Sequence, residues 1–148
     1  MATRVTARID LKTTAKIQTT MTKILLIDDD ANLRTITTMA LESAGHQIIE
    51  ARDGKEGYRL FREHRPDLVI TDLVMPEQEG IETIAQLRRE QPSLPIIAIS
   101  GGLARSALYL TIAAQIGAQH TLAKPFAIAE LLGAIDTALG RTGGAKPV

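Results

Sequence analysis

From Met21 onward the chain switches repeatedly between two rhythms of hydrophobic and polar positions. KILLI (23–27) is a short continuous apolar run, the pattern of a strand covered on both faces. A helical segment follows over about Ala31–Ala44, with Leu33, Ile36, Thr37, Ala40, Leu41 and Ala44 at helical spacing. One of the acids before it, Asp30, is its expected N-cap, and Gly45 ends it. QIIEA (47–51) reads as a second strand and Gly54–His64 as a helix presenting Tyr58, Leu60 and Phe61. Pro66 breaks the chain before a third strand, LVIT (68–71), and residues 80–91 read as a helix with Ile81, Ile84 and Leu87 on one face. Pro92 and Pro95 bracket the turn into a fourth strand, IIAIS (96–100). Arg105–Ile116 reads as a helix stopped at Gly117, its core stripe being Leu108, Ile112 and Ile116, with Leu110 and Ala114 on the opposite side. HTLA (120–123) is a weak fifth strand, and Ala127–Leu139 a last helix with Leu131, Leu132, Ile135 and Leu139 inward.

Strands alternating with helices in this way predict an α/β, doubly wound fold: parallel strands joined by right-handed crossovers, with helices on both faces of an open sheet. The ligand crevice of such a sheet lies beyond the carboxyl ends of its strands, so the residues just after each strand carry the information. Asp28, Asp29 and Asp30 follow the first strand and Asp72 the third. Ser100 closes the fourth, ahead of Gly101 and Gly102, while Lys124 and Pro125 follow the fifth. The second strand ends in Ala51-Arg52, which brings nothing comparable.

Composition narrows the chemistry. With 148 residues and 45% hydrophobic content the chain holds one domain with a real core. It has no Cys, which excludes disulfides, thiolate metal sites and a cysteine nucleophile. A 3% aromatic share without Trp argues against a base-stacking surface, and equal totals of 17 basic and 17 acidic residues leave no bulk charge to attract nucleic acid. The balance is uneven: residues 1–20 hold four basic residues against one acid, net +3, leaving net −3 for residues 21–148. The first twenty residues lack the apolar core of a secretory signal, and no run nears the ~20 apolar residues needed to span a bilayer. Their spaced basic residues and many Thr have some character of a transit peptide; a disordered extension, or a start upstream of Met21, is the plainer reading. Residues 141–148 are expected to form a flexible tail. The histidines, His46, His64 and His120, sit at element boundaries without metal-like spacing and are expected on the surface.

Carboxylates gathered with no His or Cys among them make an oxygen-only site, suited to a hard cation such as Mg²⁺. The cation offsets the repulsion among Asp28, Asp29 and Asp72; Lys124 adds a compact positive charge and Ser100 an orientable donor. A carboxylate can act as nucleophile toward phosphorus and form an aspartyl phosphate, with metal and lysine neutralising the charge that develops on the transferring group.

ILLIDDD, VITDLVMP, IIAIS and LAKPF, in this order and spacing, resemble a bacterial response-regulator receiver domain over essentially all of residues 22–140. The resemblance implies a flavodoxin-like sheet of order 2-1-3-4-5 and a phosphoacceptor at Asp72. It further implies Mg²⁺ held by Asp28, Asp29 and Asp72 with the main-chain carbonyl of Val74, and a phosphoryl group met by Ser100, Gly101 and Lys124. Pro125 matches a proline usually preceded by a cis bond. Thr121 occupies a position that is aromatic in switching receivers, and the expected output face is Leu110, Ala114 and Thr121. With nothing resembling an output domain after Leu139, the chain is similar to single-domain, chemotaxis-type regulators. Such a protein is cytoplasmic and bacterial, takes its phosphoryl group from a histidine kinase or histidine phosphotransfer protein, and signals to a protein target rather than to nucleic acid or a membrane. It is a signalling protein and not an enzyme, limited to self-phosphorylation from small donors and autodephosphorylation. Two other readings compete. A haloacid-dehalogenase-type phosphatase would use Asp28 and Asp30, but needs a further acidic pair after the lysine, where only Glu130 and Asp136 within the last helix are found, and leaves Asp72 without a role. A pseudo-receiver would bind partners without phosphorylation, which the full set of acids, Ser100 and Lys124 argues against and Thr121 favours.

Overall fold

The computed structural model describes residues 21–73, 80–101 and 106–141. The N-terminal extension, Val74, Gly102, Arg105 and the tail beyond Arg141 lie outside the described residues. The strands are β1 (Lys23–Ile27), β2 (Gln47–Ala51), β3 (Leu68–Asp72), β4 (Ile96–Ser100) and β5 (His120–Ala123). They form one sheet of order β2-β1-β3-β4-β5, every pair parallel. The helices among the described residues are α1 (Ala31–Ser43), α2 (Gly54–His64), α3 (Gly80–Glu90), α4 (Ser106–Ile116) and α5 (Ile128–Ala138).

The continuous apolar runs are explained by the two cores they serve. Successive side chains of a strand point to opposite faces. Leu25, Ile27, Val69, Ile96 and Ala98 therefore pack with Phe61 of α2, Ile84 and Leu87 of α3, and Ala113 of α4. Ile24, Leu26, Leu68, Ile70, Ile97 and Ile99 pack on the other face with Leu41 of α1 and with Leu131 and Ile135 of α5. Both faces are covered, so neither can be polar.

Helix ends follow local chemistry. The Asp30 side chain accepts from the Leu33 N–H and starts α1, and Asp53 does the same for α2 through the Glu56 N–H. Gly45, at φ +98°, turns the chain out of α1, a conformation that disfavours a side chain.

Three packing expectations fail. Leu108, expected in the core, is 62% exposed, while Ala113 is fully buried and Leu110 and Ile116 pack beside it. Helix α4 carries no charged residue, so its apolar pattern has no contrast from which to read a face. Ile36 is likewise exposed; of its stripe α1 buries Thr37 and Leu41, and Thr38 beside them takes the place expected of Ile36. His46 is not on the surface: it is buried, its Nδ1 without a hydrogen-bond partner among the described residues, and lies within electrostatic reach of Arg141 and Asp136.

Candidate functional site

The parallel register delivers the strand ends to one edge. Ile27 stands beside both Ala51 and Thr71, Asp72 beside Ile99, and Ser100 beside Ala123, so Asp28, Asp72, Ser100 and Lys124 emerge at adjoining levels. Backbone bonds continue the ladder past the strands: the Asp28 N–H donates to the Ala51 carbonyl (3.0 Å) and the Lys124 N–H to the Ser100 carbonyl (2.7 Å). The Lys124–Pro125 peptide is cis.

At that edge Asp28 and Asp72 are buried, each 7% exposed, and Asp29 is exposed. One carboxylate oxygen from each of the three lies within 4.8 Å of the others. The Lys124 ammonium sits 3.1 Å from Asp72 Oδ2 and 3.9 Å from Asp28 Oδ2. Three carboxylates against one ammonium leave a surplus of two negative charges in a space of ion size. Burial pushes the Asp28 carboxyl up from 3.8 to about 6, with Asp72 and Asp29 adding to the rise; the Asp30 N–H bonded to Asp28 Oδ1 (2.9 Å) and Lys124 work against it. An all-oxygen donor set with a charge deficit of two fits a hard dication such as Mg²⁺.

Glycine allows a close approach to the main chain of Asp72. A Cβ at Gly80 would land on the main-chain carbonyl oxygen of Asp72, and the Gly80 N–H donates to the Leu73 carbonyl (2.9 Å). The first residue of α3 is thus pressed directly against the end of β3. Toward β4, Ser100 is 1% exposed and its Oγ has no hydrogen-bond partner among the described residues. A buried hydroxyl left so is costly unless a partner arrives. Thr121, half-buried opposite Ala98, lines a shallow depression with Leu110, Thr111, Ala114 and Gln115. The residues expected to form an output face therefore adjoin one another, although Leu110 also belongs to the core.

Sequence reasoning did not single out Arg34, Glu50 or Gly80. Arg34 Nη1 donates to the Asp28 carbonyl (2.7 Å) and its Nε to Glu50 Oε1 (3.0 Å). An arginine in the second turn of a helix reads as solvated, and only tertiary geometry shows otherwise. The glycine opening a helix shortly after Asp72 was a usable signal, since glycine marks close backbone approach.

A family model described as the response regulator receiver domain matches residues 24–136. The chain is 36% identical over 117 residues to the DNA-binding transcriptional regulator NtrC of Azospirillum brasilense, covering 78% of this chain and 24% of that protein. It is 36% identical over 121 residues to the response regulator MprA of Mycolicibacterium vanbaalenii, covering 81% of this chain and 51% of that protein. The chain thus spans about half or less of the length of these relatives. A crystal structure of a response regulator receiver domain protein from Clostridium thermocellum matches with a TM-score of 0.76 at 29% identity, covering 84% of this chain and 98% of that one.

Proposed function

The chain belongs to the response regulator receiver domain family, and on that premise we propose that Asp72 accepts a phosphoryl group from a phosphohistidine in a Mg²⁺-dependent reaction. Phosphorylation on aspartate and Mg²⁺ binding are general to that family. The observation that carries the assignment to these residues is the convergence of Asp28, Asp29 and Asp72 within 4.8 Å, with the Lys124 ammonium 3.1 Å from Asp72.

Asp28, Asp29 and Asp72, with the Val74 carbonyl implied by the family resemblance, are the residues to hold Mg²⁺. When bound, the ion would neutralise the acids and the incoming phosphoryl oxygens. An Asp72 carboxylate oxygen attacks phosphorus and forms the new O–P bond; the P–N bond of the donor histidine breaks, and the electron pair and a proton stay on the imidazole. Lys124, already paired with Asp72, keeps its charge beside the new acyl phosphate. Ser100 Oγ–H gains in a phosphoryl oxygen the acceptor it lacks among the described residues, and Gly101 adjoins it without a side chain in the way. Asp30 caps α1 with its carboxylate, which supports the receiver reading over a phosphatase using Asp28 and Asp30.

We read residues 21–140 as the receiver unit, working in the bacterial cytoplasm, residues 1–20 as an extension dispensable to the site, and the signal as passing by protein–protein contact through the region of Leu110, Ala114 and Thr121. Among the described residues no helix is long and apolar enough to cross a membrane. The test is incubation with acetyl phosphate, with Mg²⁺ or with EDTA. Modification should require Mg²⁺ and disappear in Asp72→Asn; modification surviving either change overturns the assignment, and none at all in wild type points to a pseudo-receiver.

A further inference from the structure

Strand β2 brings no acid to the site, yet it is wired to it. Arg34, whose side chain is 18% exposed, bridges from α1 to two targets: Nη1 donates to the main-chain carbonyl of Asp28 (2.7 Å) and Nε to Glu50 Oε1 (3.0 Å) on β2. The Asp28 N–H is meanwhile fixed on the Ala51 carbonyl (3.0 Å) of the same strand. The carbonyl that Arg34 grips belongs to the peptide joining Asp28 to Asp29, so its plane sets where both carboxylates point. A guanidinium suits the task because its planar fork holds two acceptors at once in fixed geometry, which a lysine cannot do.

We propose that Arg34 is a positioning residue for the metal acids: with Glu50 orienting it, it holds the Asp28–Asp29 peptide so that both carboxylates converge with Asp72. This rests on the reading that those acids take Mg²⁺. The proposal has a sign that separates it from simple electrostatics. A cation beside a cation site weakens Mg²⁺ binding through its field, so removing Arg34 would tighten binding if charge were its whole effect. If it positions the acids, removing it weakens binding.

The test uses the full chain with Arg34→Gln, Arg34→Lys, Glu50→Gln and the Arg34→Gln/Glu50→Gln pair, each confirmed folded by thermal melt. Arg59→Gln, which breaks the exposed Arg59–Glu63 pair on α2, serves as control. In EDTA, the Asp30 amide, bonded to Asp28 Oδ1, should exchange about tenfold faster in Arg34→Gln, and the Asp29 amide nitrogen should shift. Titration with Mg²⁺, followed by amide shifts, should show about tenfold weaker binding in Arg34→Gln, in the range found for groups that orient metal ligands. Arg34→Lys should stay weak despite its charge, and Glu50→Gln should lose less. The double variant should be no worse than Arg34→Gln, because Glu50 acts through Arg34, while Arg59→Gln should match wild type in both measurements. Unchanged Asp30 exchange in Arg34→Gln overturns the proposal, as does unchanged or tighter Mg²⁺ binding. If wild type itself binds no Mg²⁺, the metal reading fails and the EDTA measurement alone decides whether Arg34 orders the turn.

Discussion

At the β1–β3 end of the sheet's carboxyl edge, each polar group of Asp28 is tied: its N–H to Ala51, its carbonyl to Arg34, its carboxylate to the Asp30 N–H and near Lys124. At the β4–β5 end, the Ser100 hydroxyl is buried without a partner among the described residues, Thr121 is half-buried beside a depression, and a side chain at Gly101 would meet nothing within 4 Å. The first end is built to hold charges in one arrangement, and the second keeps unspent hydrogen-bonding capacity. Preorganisation favours chemistry, because nothing need move when the phosphoryl group arrives. A response needs the reverse, a region with local alternatives close in free energy.

Two glycines give the harshest test of this contrast. Gly80→Ala places a methyl group on the main chain of Asp72 and Leu73, so backbone must shift. It should cost about 2–4 kcal/mol and sharply reduce phosphorylation by acetyl phosphate. Gly101→Ala enters open space and should change stability by under about 0.5 kcal/mol. Equal costs in chemical denaturation would erase the distinction between a tight end and a loose one.

The next largest effect concerns charge. The folded protein penalises ionised Asp28, whose carboxyl is pushed from 3.8 to about 6 chiefly by burial. Asp28→Asn retains an acceptor for the Asp30 N–H and removes that penalty, so in EDTA it should stabilise the fold by about 1–3 kcal/mol. Mg²⁺ should raise the melting temperature of wild type, and the same variant should lose that rise. Destabilisation in EDTA would show that the attraction to Lys124 outweighs burial.

These two ends differed in legibility as well. The acids could be located because apolar runs covered on both faces end abruptly in charge, and parallel topology sends the ends of β1, β3 and β5 to one edge. Sequence reading succeeded there because local pattern and tertiary position coincide. It failed at α4, where SALYLTIAAQI carries no charge to mark the solvent side and Leu108 was assigned inward. It failed at His46, which is buried and feels the charges of Asp136 and Arg141, some ninety positions away. Arg34 was missed for the same reason: its partners, Asp28 and Glu50, lie six and sixteen residues off, and nothing local distinguishes it from a solvated arginine.

The loose end is probed by smaller changes. Ser100→Ala removes a buried hydroxyl that makes no bond among the described residues, so stability should move by less than about 1 kcal/mol in either direction. Its effect should surface only with beryllofluoride, a phosphoryl mimic, present. In wild type the mimic should shift amide resonances most from Ser100 through α4 and weakly at Thr121, because threonine is small and has few rotamers to switch among. Ser100→Ala should damp those shifts, and Thr121→Ala should leave them in place. Dependence on Thr121 rather than Ser100 would move the origin of the response from β4 to β5.

The smallest effect separates the site from the rest of the fold by pH. His46 is held below its usual 6.5, first by burial and then by Arg141, with Asp136 opposing. A histidine lowered on folding contributes stability that is present above 6.5 and lost as pH falls through its folded value. Asp28 works in the opposite sense: raised to about 6, it contributes stability that is fully present below 3.8 and lost as pH rises through 6. Between pH 7 and 5, without metal, the two trends oppose each other and wild type should change little. His46→Gln should leave the Asp28 trend exposed, so that stability rises as pH falls across that interval. Asp28→Asn should expose the His46 trend, and stability should fall. Mg²⁺, if held by these acids as proposed, would keep them ionised and should abolish the rise in His46→Gln. Parallel pH profiles for the two variants in EDTA would mean that neither burial governs stability here, and that the tight end owes its order to Arg34 and Ala51 rather than to the balance of its charges.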